Sequence, residues 1–140
     1  MQLTRRQALA LGAGGAALVL AGGVGSAMAS VDEAIGKFTG GASASDGGID
    51  LTAPEIAENG NTVPVAVEVP GAVAISLFAA GNPRPEVATF KFGPLSGAQR
   101  ASTRIRLAKT QDVIAVAQMA DGSFRKQSAT IKVTIGGCGG

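Results

Sequence analysis

Through much of the chain apolar residues alternate with polar ones at a spacing of two, the pattern of a half-buried strand. Val63, Val65, Val67 and Val69 alternate with Pro64, Ala66 and Glu68 before Pro70-Gly71 breaks the run. Pro64 cannot donate to a ladder, so this strand is expected at an edge near its start. Val73 to Ala79 is a second strand, and Gly81-Asn82-Pro83-Arg84-Pro85 follows as a rigid turn. Glu86 to Phe92 puts Ala88, Phe90 and Phe92 on one face. In Ser102 to Leu107, Thr103, Ile105 and Leu107 face one way, and Ser102, Arg104 and Arg106 the other. Asp112 to Met119 is apolar on both faces, as expected of a central strand, and Asp121-Gly122-Ser123 reads as a turn. Ala129, Ile131, Val133 and Ile135 then alternate with Thr130, Lys132 and Thr134.

Upstream the period changes. Val31, Ala34, Ile35 and Phe38 recur at helical spacing, with Asp32 and Glu33 expected in the first turn. Gly36 interrupts this pattern, and a short arm packed on the domain or on a partner fits it equally. Thr39 to Gly48 reads as a loop or linker by composition. Ala53 to Asn59 reads as a short helix, with Thr52 as N-cap, Glu55 three residues on and Gly60 closing it. The expected fold class is all-β. It is a small sandwich of about seven strands with short N-terminal helical segments.

The first thirty residues stand apart. Arg5 and Arg6 are adjacent, no charge follows from Gln7 to Ser30, and Ala27-Met28-Ala29 is a small-x-small cleavage pattern. The stretch from Ala8 to Ala29 is also long enough to span a bilayer. Its glycine content and cleavage pattern favour removal instead. Thr4-Arg5-Arg6-Gln7 resembles a twin-arginine export signal, although Ala8 stands where such signals usually carry Phe. Residues 1–29 are therefore expected to be an export signal peptide, residues 30–135 the sandwich domain with its N-terminal arm, and residues 136–140 a flexible tail.

Composition matters here mainly through what it removes. The chain has no His, Trp or Tyr and one Cys, which excludes Ser-His-Asp and Cys-His catalysis, histidine metal sites and multi-cysteine clusters. Five Phe offer little for stacking on nucleic acid. The formal net charge of +2 comes from Arg5 and Arg6, so the expected mature chain is neutral. Its charge points to neither nucleic acid nor an anionic membrane as partner.

Cys138 lies between paired glycines in Gly136-Gly137-Cys138-Gly139-Gly140. With a single cysteine no internal disulfide can form, so any covalent chemistry is with something outside this chain. The thiol lies three residues beyond Ile135, at most about 10 Å away at roughly 3.3 Å per residue. A glycine arm can present sulfur to a narrow active site but does not fix a catalytic pocket. Nothing nearby in sequence lowers the thiol pKa, and the carboxylate at Gly140 tends to raise it. Cys138 thus reads as an attachment point rather than a nucleophile activated by its own chain. Arg104 and Arg106 form either a solvated strand face or an anion or partner contact. Asp112 and Asp121 lie near turns, and Glu55 and Glu58 read as surface or capping groups.

With these residues in view, the chain resembles the SoxY family, the sulfur-carrier subunits of the periplasmic thiosulfate-oxidising (Sox) system. The resemblance is carried by the leader, by Glu58-Asn59-Gly60-Asn61-Thr62-Val63-Pro64-Val65 and by Gly81-Asn82-Pro83-Arg84-Pro85 running into Glu86-Val87-Ala88-Thr89-Phe90. Ser102 to Leu107 and the terminal Val133 to Gly140 complete it. It implies an immunoglobulin-like sandwich paired with a second sandwich subunit, SoxZ. It also implies that Cys138 carries sulfur as thiosulfonate and persulfide adducts. The implied enzymes are a thiosulfate-coupling c-type cytochrome, a sulfate-releasing hydrolase and, in some members, a sulfur dehydrogenase. Haem and metal would belong to those partners, leaving this chain without cofactor or catalytic residues, and its place would be the periplasm without stable membrane association. Two other classes remain to be weighed: a thiol-disulfide redox protein, disfavoured by the absence of a resolving cysteine, and a structural or adhesion module dimerised through Cys138.

Overall fold

The computed structural model describes residues 26–135. Among the described residues one helix, α1 (Ser26–Thr39), precedes nine strands: β1 (Ala44–Asp46), β2 (Asp50–Thr52), β3 (Ile56–Ala57), β4 (Val63–Glu68), β5 (Ala72–Ala79), β6 (Glu86–Lys91), β7 (Arg100–Ile105), β8 (Gln111–Met119) and β9 (Phe124–Val133). They form two sheets. One runs β1-β9-β8-β5-β6 with β3 added beside β9, and the other runs β2-β4-β7. The all-β sandwich expected from the alternation is what forms.

The two sheets meet through their apolar faces. From the small sheet come Val63, Val65, Val67 and Ile105; from the large one come Ile75, Leu77, Val113, Ala115, Ala117 and Ile131. The loop residue Leu107 is fully buried among them. Both β5 and β8 are buried on their second face as well, because α1 lies there. Val31, Ala34, Ile35 and Phe38 pack on Phe78, Val116 and Phe124. Phe38 meets Phe78 and Phe124 edge-on, with ring centroids 6.3 and 6.0 Å apart. The apolar spacing of the arm and the two-sided burial of β8 are two halves of one contact.

Several expectations are corrected. The helix begins at Ser26, so Asp32 and Glu33 lie in its middle turns, where Glu33 forms an exposed pair with Lys37 at 3.0 Å. It passes through Gly36 and ends where Gly40 takes φ 65° and Gly41 N–H donates to Gly36 O at 3.0 Å. The stretch read as a loop contains β1, which pairs in parallel with Phe124 to Lys126. Gly48 then turns the chain with φ 76°, leaving space that Arg125 fills. The second helix, expected over Ala53 to Asn59, does not form. Ile56 and Ala57 instead pair in parallel with Lys132 and Val133. So short a helix would stabilise little on its own, whereas the vacant edge of β9 supplies backbone partners at once. Strand β9 itself begins at Phe124, five residues before the expected start.

Strand β4 is central in its sheet rather than at an edge, yet β2 reaches only Ala66 to Glu68. At Pro64 the strand is open on that side, where a missing donor costs nothing. Phe90 and Phe92 pack on the core as expected, and Val87 joins them at a bulge opposite Leu77 and Phe78.

In the β8–β9 turn, the Ser123 hydroxyl donates to Asp121 at 2.6 Å and the Ser123 amide at 2.9 Å, holding that carboxyl below the usual range. A depressed folded value means the turn's contribution is present above the ordinary Asp pKa and lost as pH falls through the depressed one. Asp121→Asn is expected to flatten the acid limb of a Tm-against-pH curve below the ordinary Asp pKa. Phe38→Ala is expected to cost about 2–3 kcal/mol in urea unfolding. A loss below about 0.5 kcal/mol would show that α1 does not contribute its packing to the fold.

Candidate functional site

Cys138, Gly136, Gly137, Gly139 and Gly140 lie outside the described residues, as do Arg5 and Arg6. What the structure supplies is the root from which the tail departs. Strand β8 pairs with β9 only as far as Gln111 opposite Ile131. Beyond that point a different set of groups holds the chain. Lys132 N–H donates to Glu55 O at 2.9 Å, Thr134 N–H to Ala57 O at 3.1 Å, and Gly60 N–H to Ile135 O at 3.0 Å. From the opposite side the Thr110 hydroxyl accepts from Val133 N–H at 2.9 Å. Gly60 is buried, and its carbonyl accepts from Leu107 N–H at 2.8 Å, which ties the same loop to the strand end of the small sheet. Asn59 closes that loop by accepting from Asn61 N–H at 3.0 Å.

Glu55 and Glu58, assigned above to a helix surface, therefore stand on an extended segment with their side chains exposed. It is the backbone of this segment that acts. Among the described residues the chain is anchored up to Ile135, so the thiol starts from a fixed point and reaches at most about 10 Å.

The Gly81–Pro85 turn proves to be structural. Gln111, nearly buried, accepts from Gly81 N–H at 2.8 Å and donates to Asn82 Oδ1 at 2.8 Å and to Lys109 O at 3.0 Å. Asn82 in turn donates to Arg106 O at 2.7 Å and accepts from Ala108 N–H at 3.0 Å. One side-chain amide pair thereby fixes the β5–β6 turn to the β7–β8 connection. A Cβ on Gly81 would lie 3.0 Å from Gln111 Cβ, a tight approach to which Gln111 would have to yield by a few tenths of an ångström.

The remaining candidates scatter. Arg104 is exposed and borders a groove on the outer face of the small sheet, with Thr52, Pro54, Pro64, Ala66 and Ser102. Arg106 contributes its carbonyl to Asn82. Asp112 accepts from the Thr130 hydroxyl at 2.6 Å across the β8–β9 pair. Among the described residues no three His, Cys, Asp or Glu side chains gather to hold a metal ion.

Solved structures with this architecture include superoxide reductase (neelaredoxin) from Ignicoccus hospitalis, with TM-score 0.54 and 19% identity over 62% of this chain and 80% of that one. A putative superoxide reductase from Thermotoga maritima is similar, with TM-score 0.54 and 18% identity over 70% and 91%. At such identities the likeness is one of fold, and the class it defines is a small two-sheet β-sandwich. The sulfur carrier protein SoxY from Chlorobium limicola f thiosulfatophilum is nearer, with TM-score 0.69 and 36% identity over 76% of this chain and 94% of that one. The family described as sulfur oxidation protein SoxY matches residues 35–138, a span that ends at Cys138. A comparison with curated proteins gives no match. The chain belongs to the SoxY family, whose role is in sulfur oxidation.

Because the Asn82–Gln111 pair joins two turns, Gln111→Ala is expected to lower stability by about 2–3 kcal/mol through the groups it leaves unpaired. The alkylation rate of Cys138 by iodoacetamide should stay unchanged. A changed alkylation rate at unchanged stability would assign the turn to the site instead.

Proposed function

We propose that this chain is a covalent carrier of sulfur-oxidation intermediates, with Cys138 as the attachment point and Gly136, Gly137, Gly139 and Gly140 as its flexible arm. The observation that supports it most is the conjunction of a family match running to Cys138 with a chain held by backbone bonds past the end of β9. A sandwich anchored that close to a glycine-flanked cysteine suits a handle that is offered to other active sites.

The chemistry follows from the thiol. Cys138 loses its proton, and its sulfur bonds to the outer sulfur of thiosulfate. Two electrons leave one at a time, and a c-type cytochrome enzyme would accept them in two one-electron steps, so the cysteine becomes an S-thiosulfonate. Water then attacks the terminal sulfone sulfur in a hydrolase, the S–S bond to it breaks, and sulfate departs with release of protons. The electron pair of that bond stays on the carrier as a persulfide. In some systems of this kind a sulfur dehydrogenase oxidises the outer sulfur further. This chain contributes the sulfur atom and its placement, without cofactor or catalytic residue.

The same reading includes a SoxZ-like sandwich subunit as heterodimer partner and a periplasmic location reached through the Arg5-Arg6 signal, with no nucleic acid or stable membrane contact. Removal of residues 1–29 is compatible with the fold, since Val31, Ala34, Ile35 and Phe38, which dock the helix, all lie beyond Ala29.

The test is intact mass after incubation with thiosulfate and the partner enzymes. The expected result is a thiosulfate-derived adduct that shortens to a single added sulfur once the hydrolase is present, with neither on Cys138→Ser. An unmodified thiol in a competent system would overturn the proposal. Full function after deletion of residues 136–140 would favour the structural or adhesion module.

A further inference from the structure

Four large apolar side chains stand exposed among the described residues: Ile56 at 57%, Val73 at 38%, Leu95 at 99% and Ile135 at 68%. They fall at opposite ends of the sandwich. Val73 and Leu95 belong to the end where Phe92 N–H donates to Val73 O and Val69 N–H to Gln99 O. Ile56 and Ile135 stand at the root of the tail. Ile56 pairs with Lys132 across β3 and β9, and Ile135 is where the described chain ends. We infer that Ile56 and Ile135 are the surface on which the enzymes acting on Cys138 dock, against apolar side chains at the rim of their active-site channels.

Tether length carries the argument. The thiol lies at most about 10 Å from Ile135, and Ile135 at most about 10 Å along the chain from Lys132, at about 3.3 Å per residue. Ile56 sits beside Lys132 at the strand spacing of about 4.8 Å. An ordinary interface covers roughly 800 Å² on each partner, a disc of about 16 Å radius. An enzyme that encloses Cys138 on so short a tether brings its surface close to Ile135, and a footprint of that size has the reach to take in Ile56. The composition of the patch agrees. The exposed side chains of Glu55, Glu58 and Lys132 supply the polar rim that surrounds an apolar centre in transient interfaces. Single exposed aliphatic residues need no explanation by themselves; two placed at the exit of a carrier tail acquire one. The inference rests on Cys138 being the attachment point, as proposed above.

The experiment uses the full mature chain with its subunit partner, the enzyme that couples thiosulfate, and thiosulfate itself. Adduct formation on Cys138 is followed by intact mass for wild type, for Ile56→Ser combined with Ile135→Ser, and for Leu95→Ser as a control at the far end. The double variant is expected to raise KM for the carrier at least tenfold while kcat stays within twofold. Alkylation of Cys138 by iodoacetamide, Tm, elution volume and the Leu95→Ser control should be unchanged. An unchanged KM overturns the docking surface, and so does loss of the subunit partner or of Tm in the double variant, which would assign the isoleucines to assembly or to folding. A KM effect in Ile135→Thr with unaltered Tm supports docking if the double variant folds poorly. The carrier reading fails separately, in an experiment where wild type itself takes up no adduct.

Discussion

The short parallel pairing of Ile56 and Ala57 with Lys132 and Val133 is the contact on which the rest of the site depends. Strand β8 releases β9 at Ile131. Without a partner from there on, the following residues would fray and the tail would begin several residues earlier. Glu55, Ala57 and Gly60 take over on one side and Thr110 on the other, so the chain stays ordered through Ile135. Backbone groups of the loop make the main bonds, and the Thr110 and Thr134 hydroxyls add to them.

The fold arranges support around that point. Val63 to Val67 and Ile105 form one wall of the core and the β5–β8–β9 face the other. Leu107, buried between them, hydrogen-bonds the same Gly60 that holds Ile135. Gly60 thereby links the core at Leu107 to the chain at Ile135. At the outer face α1 seals Phe78, Val116 and Phe124, which lets β5 and β8 be apolar on both sides without exposing them. The Asn82–Gln111 amide pair fixes the neighbouring β7–β8 connection from which Thr110 reaches Val133. Asn82 and Gly81, which lie in a segment resembling the family, are in this way structural, holding one turn to another connection.

Strands β4 and β7 were legible in the sequence because each buries an alternate set of side chains, and β8 because burial on both faces leaves a nearly continuous apolar run. Strands β1, β2 and β3 were not. They have two or three residues each and are defined by what they pair with, so the glycine-rich and Ala53–Asn59 stretches carried no period to read. The first half of β9 was hidden for another reason. Between Phe124 and Ala129 it presents Arg125, Lys126, Gln127 and Ser128, none of them buried, so its strand character comes from two neighbouring strands. The proposed attachment residue stands out in the sequence because composition and position isolate Cys138. The anchoring of Lys132 to Ile135 does not, because backbone carbonyl and amide groups do most of the holding and leave no mark in residue type.

Amide hydrogen exchange tests the central claim, that the body is held rigidly to its last strand residues and the carrier arm starts beyond them. Lys132, Val133 and Thr134 amides are expected to exchange about as slowly as those of β8, with an abrupt rise to near-unprotected rates from Gly137 to Gly140. Fast exchange at Lys132 and Thr134, or protection extending evenly through the glycines, would contradict it.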